Sequence, residues 1–302
     1  MDTSLSGALA ALSNDLATLV ETAGATVVAV EGRDRIGSSG FFLRTDTVVT
    51  ADHAVESNDV QIVYPDGRTA PARVTGRDPA TDVALLTVDS AGPTPLVHAG
   101  SSDVHTGAIA LAVARDDDGD IEAAMGIVGT VSGAWRTWRG GDMDSFIRAD
   151  LSLYPRFSGS PLVDAAGRLI GMNTWGLSRR QALVVPAATI RRISDALGSR
   201  GRIARGYLGI AMQGIELPAG WGGGSGVIAL GVAPDGPAAR AGLIVGDIIT
   251  ALAGRRIGDS DDVQSVLDAG SVGTSAAVGL LRGGKPLELN VTIGERPSSD
   301  DE

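Results

Sequence analysis

Three residues in this chain have the types that acyl transfer requires: His53, Asp82 and Ser158. A serine hydroxyl is a poor nucleophile at neutral pH and needs a base within hydrogen-bond reach. An imidazole can serve if its tautomer is fixed and the positive charge it acquires is compensated, and a carboxylate supplies both. The settings suit the roles. His53 sits in Thr50-Ala51-Asp52-His53-Ala54-Val55, just after an apolar strand pattern, and Asp82 opens Asp82-Val83-Ala84-Leu85-Leu86. Ser158 lies in Phe157-Ser158-Gly159-Ser160-Pro161-Leu162-Val163, where small residues suit a tight loop and Pro-Leu-Val suits a buried strand after it. Taken singly, a histidine after a strand and an aspartate at a turn read as structural. Their joint occurrence, each at a strand end and in the order His, Asp, Ser, is one of several orders that build the same triad.

Other chemistries fit less well. The Gly-x-Ser-x-Gly elbow of an α/β-hydrolase is missing, and its triad order differs. His53, His98 and His105 do not form a helical zinc motif, so neither a metal nor a cofactor is expected, and His98 and His105 read as surface residues. The run Asp116-Asp117-Asp118-Gly119-Asp120 lacks the full spacing of a calcium loop and reads as a solvated turn. The glycines of Trp221-Gly222-Gly223-Gly224-Ser225-Gly226 lack dinucleotide-binding spacing and read as a flexible loop.

The elements that must position the three residues are short strands. Strand patterns run over 26–30, 41–50, 60–64, 72–75, 84–88 and 108–113, punctuated by Gly, Pro and Asp, which predicts a sandwich or barrel. Residues 187–197 carry a helical pattern that closes this domain. At the N-terminus Leu5, Leu9, Leu12, Leu16 and Leu19 recur at helical spacing, with Ser4 a fitting N-cap. That helix is either a packing element or an oligomerisation segment.

Composition bounds the setting. The chain has 302 residues, enough for two domains, and no apolar run long enough to cross a bilayer. A net charge of −11 argues against nucleic acid and anionic membranes as partners. There is no cysteine, so no disulfide framework exists. Met1-Asp2-Thr3-Ser4 has neither a basic region nor a following apolar segment with a cleavage site. The expected location is therefore the cytoplasm, or an extracytoplasmic compartment if an export segment has been removed.

These motifs together resemble the HtrA/DegP family of serine proteases. The matching pieces are Gly37-Ser38-Ser39-Gly40-Phe41, Thr50 to Val55, Asp82 to Leu86, Gly126 to Ser132, the Ser158 region and Gly171-Met172-Asn173-Thr174. The resemblance implies a mainly β fold: a chymotrypsin/trypsin-like double six-stranded β-barrel followed by a C-terminal PDZ domain of α+β type. Arg205-Gly206-Tyr207-Leu208-Gly209-Ile210 resembles a PDZ carboxylate-binding loop, whose backbone amides form an anion-binding nest. Pro234 to Leu243 and Gly246-Asp247-Ile248-Ile249 match the most recognisable PDZ segment. The groove helix is expected over 261–269, with Val263 or Gln264 nearest the ligand. The domains are then a helical segment at 1–24, a protease domain at 25–198, a linker at 199–204, a PDZ domain at 205–296 and a disordered tail at 297–302.

The resemblance also implies roles. The oxyanion hole would be formed by the backbone N–H groups of Arg156 and Ser158. Arg156 departs from the family's glycine; it keeps an N–H, and the question it raises is whether its backbone adopts the donating geometry. Ser152 stands where trypsin-like enzymes with a basic preference carry aspartate. With Thr174, Trp175 and Gly176 it would line the substrate site, favouring cleavage after valine, alanine or leucine. The loop Trp135 to Asp144 is one that can carry a regulatory signal in such proteins. The implied function is a serine endopeptidase acting on unfolded or damaged polypeptides in protein quality control. The PDZ residues Tyr207, Leu208, Gly209, Ile210 and Val263 would bind peptide C-termini, and the assembly would be a homo-oligomer, a trimer by family resemblance. The rival reading is a non-enzymatic peptide-binding scaffold with a silent protease fold.

Overall fold

The computed structural model describes residues 3–32, 37–178, 181–200, 206–221, 223–267 and 271–295. They form two compact units, Met1–Ile203 and Ala204–Glu302. The first begins with α1 (Thr3–Gly24) and continues into six strands: β1 (Val27–Glu31), β2 (Ser38–Arg44), β3 (Thr47–Ala51), β4 (Asp59–Val63), β5 (Thr69–Asp78) and β6 (Val83–Val88). They close into a barrel in the order β1-β2-β3-β6-β5-β4. The pattern at 41–50 is in fact two strands, because Thr45 and Asp46 turn the chain between β2 and β3. The inside of this barrel is filled by Val28, Val30, Phe42, Val48, Ile62 and Leu86, among others.

A second barrel follows. Its strands are β7 (Ile109–Arg115), β8 (Ile121–Ser132), β11 (Phe146–Asp150), β12 (Pro161–Asp164), β13 (Leu169–Thr174) and β14 (Leu183–Pro186), with the small hairpin β9 (Trp135–Arg136) and β10 (Asp142–Met143) between β8 and β11. Their order is β11-β14-β13-β12-β7-β8, again closed, so neither barrel has a free sheet edge. The helix α2 (Ala187–Arg200) follows β14. One apolar cluster joins Val49, Val83 and Leu85 of the first barrel to Val113, Met172 and Val185 of the second and to Ile190, Ile193 and Leu197 of α2. The two barrels and the helix thus share a core. Leu16 and Val20 pack α1 against that cluster, while Leu9 and Leu12 stand exposed.

The second unit holds the short pair β15 (Gly206–Tyr207) and β22 (Gly294–Glu295) and a larger sheet. That sheet consists of β16 (Ile210–Glu216), β17 (Ser225–Val232), β18 (Ile248–Leu252), β20 (Ser275–Arg282) and β21 (Lys285–Thr292), with β19 (Arg255–Arg256) paired to β18. Two helices, α3 (Pro237–Arg240) and α4 (Ser260–Val266), complete it. Asp259 caps α4 by accepting the Asp262 N–H, and Asp262 returns the bond as a capping box. Its own core gathers Leu208, Val227, Ile249, Val263, Val278 and Val291. The fold is the expected one: mainly β, two closed six-stranded barrels and a small α+β domain. Residues 201–205 of the expected linker region and PDZ start, 268–270 at the end of the groove helix, and the tail at 297–302 lie outside the described residues, as does Gly222 of the glycine-rich loop.

Candidate active site

The three candidate residues come from three places in the barrels. His53 lies in a 3-10 turn, Asp52–Ala54, directly after β3. Asp82 precedes β6, the strand beside β3, in the register Ala51 opposite Val83. Ser158 follows a second 3-10 turn, Pro155–Phe157, on the loop that leads into β12 of the other barrel.

Asp82 is fully buried and adopts a left-handed conformation, φ 60°, rare for a residue with a side chain. The turn before it explains how this is held. The Asp78 side chain accepts the Thr81 hydroxyl at 2.6 Å and the Ala80 N–H at 3.3 Å. The Asp82 carboxylate then receives Nδ1 of His53, at 2.8 Å on one oxygen and 3.0 Å on the other, and the His53 backbone N–H at 2.9 Å. The Thr174 hydroxyl donates to the same carboxylate. With Nδ1–H committed to Asp82, Nε2 is left as the base, the tautomer that proton abstraction from serine requires.

Ser158 is almost buried, 2% exposed, on a loop that only glycine could complete. Gly159 has φ +85°, and a Cβ there would lie 2.0 Å from the Ser39 carbonyl oxygen. Ser39 backs the loop from β2. Its N–H donates to the Ser158 carbonyl at 3.0 Å and its hydroxyl to the Arg156 carbonyl at 3.1 Å. Among the described residues, the partner of the Ser158 hydroxyl is the Trp175 N–H at 3.4 Å. Ser158 and His53 line one surface cleft of about 320 Å³ with Gly37, Ser38, Ala54, Pro155 and Trp175. Trp175 and Gly176 directly follow Thr174 at the end of β13, while Ser152 is exposed on the loop before Pro155.

The oxyanion hole expected from Arg156 and Ser158 is not assembled in this structure. The Ser158 N–H donates to the Pro155 carbonyl at 3.0 Å, closing the 3-10 turn. The Pro155 carbonyl and the Arg156 N–H belong to one trans peptide plane and point in opposite directions. With the carbonyl turned toward the Ser158 N–H, the Arg156 N–H faces away from it. Rotating this single peptide would exchange acceptor for donor. The Arg156 side chain leaves the site altogether, toward Glu122 Oε1 at 3.5 Å and Asp116 Oδ2 at 3.9 Å on the β7–β8 hairpin.

The geometry thus sets a base oriented by a buried carboxylate and a serine on one cleft at the junction of two closed barrels. A trypsin-like peptidase domain model matches residues 38–172 and a PDZ domain model matches residues 206–293. A putative serine protease, HhoB, from Synechocystis sp. is 32% identical over 285 residues, covering 88% of this chain and 68% of that protein. The chain belongs to the HtrA/DegP family of serine proteases. A probable periplasmic serine endoprotease, DegP-like, from Pseudomonas putida is 32% identical over 87% of this chain. The chain spans 56% of that protein, just over half its length. Among solved structures, the HtrA-type protease AlgW with a decapeptide superposes with a TM-score of 0.74 at 25% identity, covering 93% of this chain and 99% of that one. The serine endoprotease from Yersinia pestis gives 0.72 at 27% identity, covering 92% and 97%.

In the PDZ unit, Gly209 has φ +78°, and the loop carbonyls of Leu208 and Gly209 accept the N–H groups of Ala238 and Ala233, both at 2.8 Å. Tyr207 is half-buried at the loop's start and Ile210 opens β16. Val263, expected at the groove, is sealed in the domain core at 0% exposure, so it supports the helix rather than touching a ligand. His98 is half-buried, bridging to Leu169, rather than a surface residue. Burial, with Arg191 nearby, holds its imidazole below the usual value. Sequence reasoning missed Ser39, Arg77 and Asp52 as supports of the site. Asp52 carried a signal in its place beside His53 and Ser39 in the Gly37–Phe41 motif, while Arg77 carried none.

Proposed function

We propose that this protein is a serine endopeptidase of the HtrA type, acting on unfolded polypeptides, with Ser158 as nucleophile, His53 as base and Asp82 as its orienting partner. The observation that carries the reading is the His53 Nδ1 to Asp82 contact of 2.8 Å, with His53 and Ser158 lining one cleft. In the reaction, the Ser158 oxygen attacks the scissile carbonyl carbon while His53 Nε2 takes its proton. His53 then protonates the departing amine as the C–N bond breaks, and a water molecule hydrolyses the acyl-enzyme by the same proton path. The oxyanion would be met by the N–H groups of Ser158 and Arg156 once the Pro155–Arg156 peptide has rotated. The test is labelling by a fluorophosphonate probe together with casein cleavage. Wild type should show both and Ser158→Ala neither; undiminished cleavage by Ser158→Ala would sink the assignment.

Cleavage is expected after valine, alanine or leucine, because Ser152 offers no carboxylate to a basic side chain, and Thr174, Trp175 and Gly176 flank the site. Dominant cleavage after lysine or arginine in a mass-spectrometric map would refute this. The PDZ unit is read as binding peptide C-termini through the amides of Leu208, Gly209 and Ile210 beside Tyr207, with Val263 behind them. The structure of AlgW with a decapeptide supports peptide binding. The exposed Leu9 and Leu12 of α1 support self-association, with a trimer as the expected form. No described helix is long and apolar enough to cross a membrane, and the name of the Pseudomonas putida relative supports an extracytoplasmic over a cytoplasmic location.

A second reading has one observation in its favour, the engagement of the Ser158 N–H by Pro155. A chain that never leaves that state would be a peptide-binding scaffold. It would bind C-terminal peptides and resist the probe.

A further inference from the structure

The histidine side of the site is held by a pair of residues that the proposed chemistry does not use. His53 is the middle residue of a three-residue 3-10 turn whose N-cap, Ala51, has no side chain to cap it. The turn closes on itself through the Val55 N–H and the Asp52 carbonyl, 3.1 Å apart. So short a turn takes its conformation from its surroundings. Asp82 holds its donors: the Asp52 N–H reaches the Asp82 carbonyl at 3.2 Å and the His53 N–H reaches Asp82 Oδ1 at 2.9 Å. Arg77 holds its acceptors. Its Nε donates to Asp52 Oδ1 at 2.6 Å, and one terminal nitrogen donates to the carbonyls of Asp52 at 3.2 Å and Val55 at 2.8 Å. Arg77 stands on β5 opposite Ala84 of β6, so its side chain passes β6 to reach the turn after β3. The Asp52 carboxylate is nearly sealed, with 6% of its side chain exposed.

We propose that Arg77 and Asp52 are positioning residues for the catalytic base: one guanidinium plane, aligned by the Asp52 carboxylate, grips the His53 turn by its carbonyls and fixes where the imidazole stands relative to Ser158. The proposal rests on the reading of His53 as the base. Arginine suits the task because its donors sit in a rigid planar fork, whereas the lysine ammonium is a point charge on a flexible stem. The charges around the turn agree. Burial holds the Asp52 carboxyl above the usual value, with the nearby Asp82 and Asp78 adding to the rise, and the Arg77 hydrogen bond and charge pull against it. Arg77 is therefore the group that favours the carboxylate form of Asp52, the form that accepts from Nε.

The experiment uses the full-length protein and its three histidines as NMR reporters. Arg77→Met should shift or broaden the ring signals of His53 and leave those of His98 and His105 in place. Fluorophosphonate labelling of Ser158 should slow by about ten- to a hundredfold, the loss expected for a misplaced catalytic group. For a peptide substrate kcat should fall by that factor with KM nearly unchanged. Arg77→Lys should recover part of the loss, and adding Asp52→Ala to Arg77→Met should cost nothing more, because the two act as a unit. A merely structural role would lower the unfolding temperature but leave the His53 signals and the labelling rate of the folded protein unchanged, and that result overturns the proposal. If Arg77→Met does not fold, Arg77→Lys is judged by the same signals. If the wild type is neither labelled nor cleaves anything, the reading of His53 as base fails. The NMR signals then still decide whether Arg77 places the imidazole.

Discussion

Arg156 stands at the position proposed to donate to an oxyanion, where the family resemblance implies a glycine, and its side chain ends in two ion pairs. The pairs to Glu122 and Asp116, at 3.5 and 3.9 Å, help hold the turn in which Pro155 engages the Ser158 N–H. Both are partly solvated, and such pairs contribute about 0.2–1 kcal/mol each. Releasing both, at most about 2 kcal/mol together, therefore corresponds to about thirtyfold in rate at most. Arg156→Gly should raise the fluorophosphonate labelling rate within that limit. Added salt should speed the wild type and leave the variant unaffected, since only the wild type has the pairs to screen. An unchanged rate with unchanged salt response would remove Arg156 from the hold on the turn. Gly159→Ala makes the opposite prediction, a loss of about a hundredfold, because a Cβ cannot fit 2.0 Å from the Ser39 carbonyl without moving the nucleophile. At this scale the triad candidates were legible because each type stands at a strand end, in a known order. The contacts of Arg77 and Ser39 were not, since their partners lie 22 or more residues away, in the turns that carry His53 and Ser158.

Elements show the same division between local pattern and distant contact. The helix at 187, the N-terminal helix and the strands of the first barrel could be read from periodicity, because a period of two or 3.6 is written in neighbouring residues, whereas the helix at 260 was expected from the PDZ resemblance. The pattern at 41–50 read as one strand because β2 and β3 are both apolar and only Thr45 and Asp46 separate them. Arg115 could not be read at all. It ends β7, is 3% exposed, and its guanidinium donates to the carbonyls of Val27 and Gly24, both at 2.7 Å, and to that of Gly119. It therefore ties the end of α1, the start of β1 and the β7–β8 turn. Burial holds its pKa below the usual arginine value, with Asp116 and Asp120 opposing. Arg115→Met would leave these carbonyls without their donor, at a cost of about 1–3 kcal/mol for each acceptor that water cannot reach. Denaturant unfolding should show a loss of at least about 2 kcal/mol. A loss below about 0.5 kcal/mol, the range of ordinary surface substitutions, would mean that water replaces the guanidinium freely.

On the scale of the whole molecule, each unit has its own core, and each pairs a buried aspartate with an arginine that a strand presents: Asp52 with Arg77 and Asp247 with Arg282. In the PDZ unit this is Asp247, fully buried, which receives Nε and a terminal nitrogen of Arg282, both at 2.8 Å, and the Ile244 N–H at 3.0 Å. Burial alone would push its carboxyl up. The Arg282 hydrogen bonds, the Ile244 N–H and the Arg282 charge outweigh that and hold it below the usual carboxylate value. A carboxyl depressed in the folded state stabilises that state above the unfolded pKa, about 4, and the contribution is lost as pH falls through the folded value. Arg282→Met should therefore lower the unfolding temperature of the smaller unit at neutral pH, and the gap to wild type should narrow below about pH 4 as Asp247 protonates in both. Scanning calorimetry at pH 7 and at pH 3 measures this directly. Separate cores in Met1–Ile203 and Ala204–Glu302 predict that only the smaller unit's transition moves. A gap that stays constant with pH would remove Asp247 as the group responsible, and a matching shift in the larger unit would show that the two unfold as one.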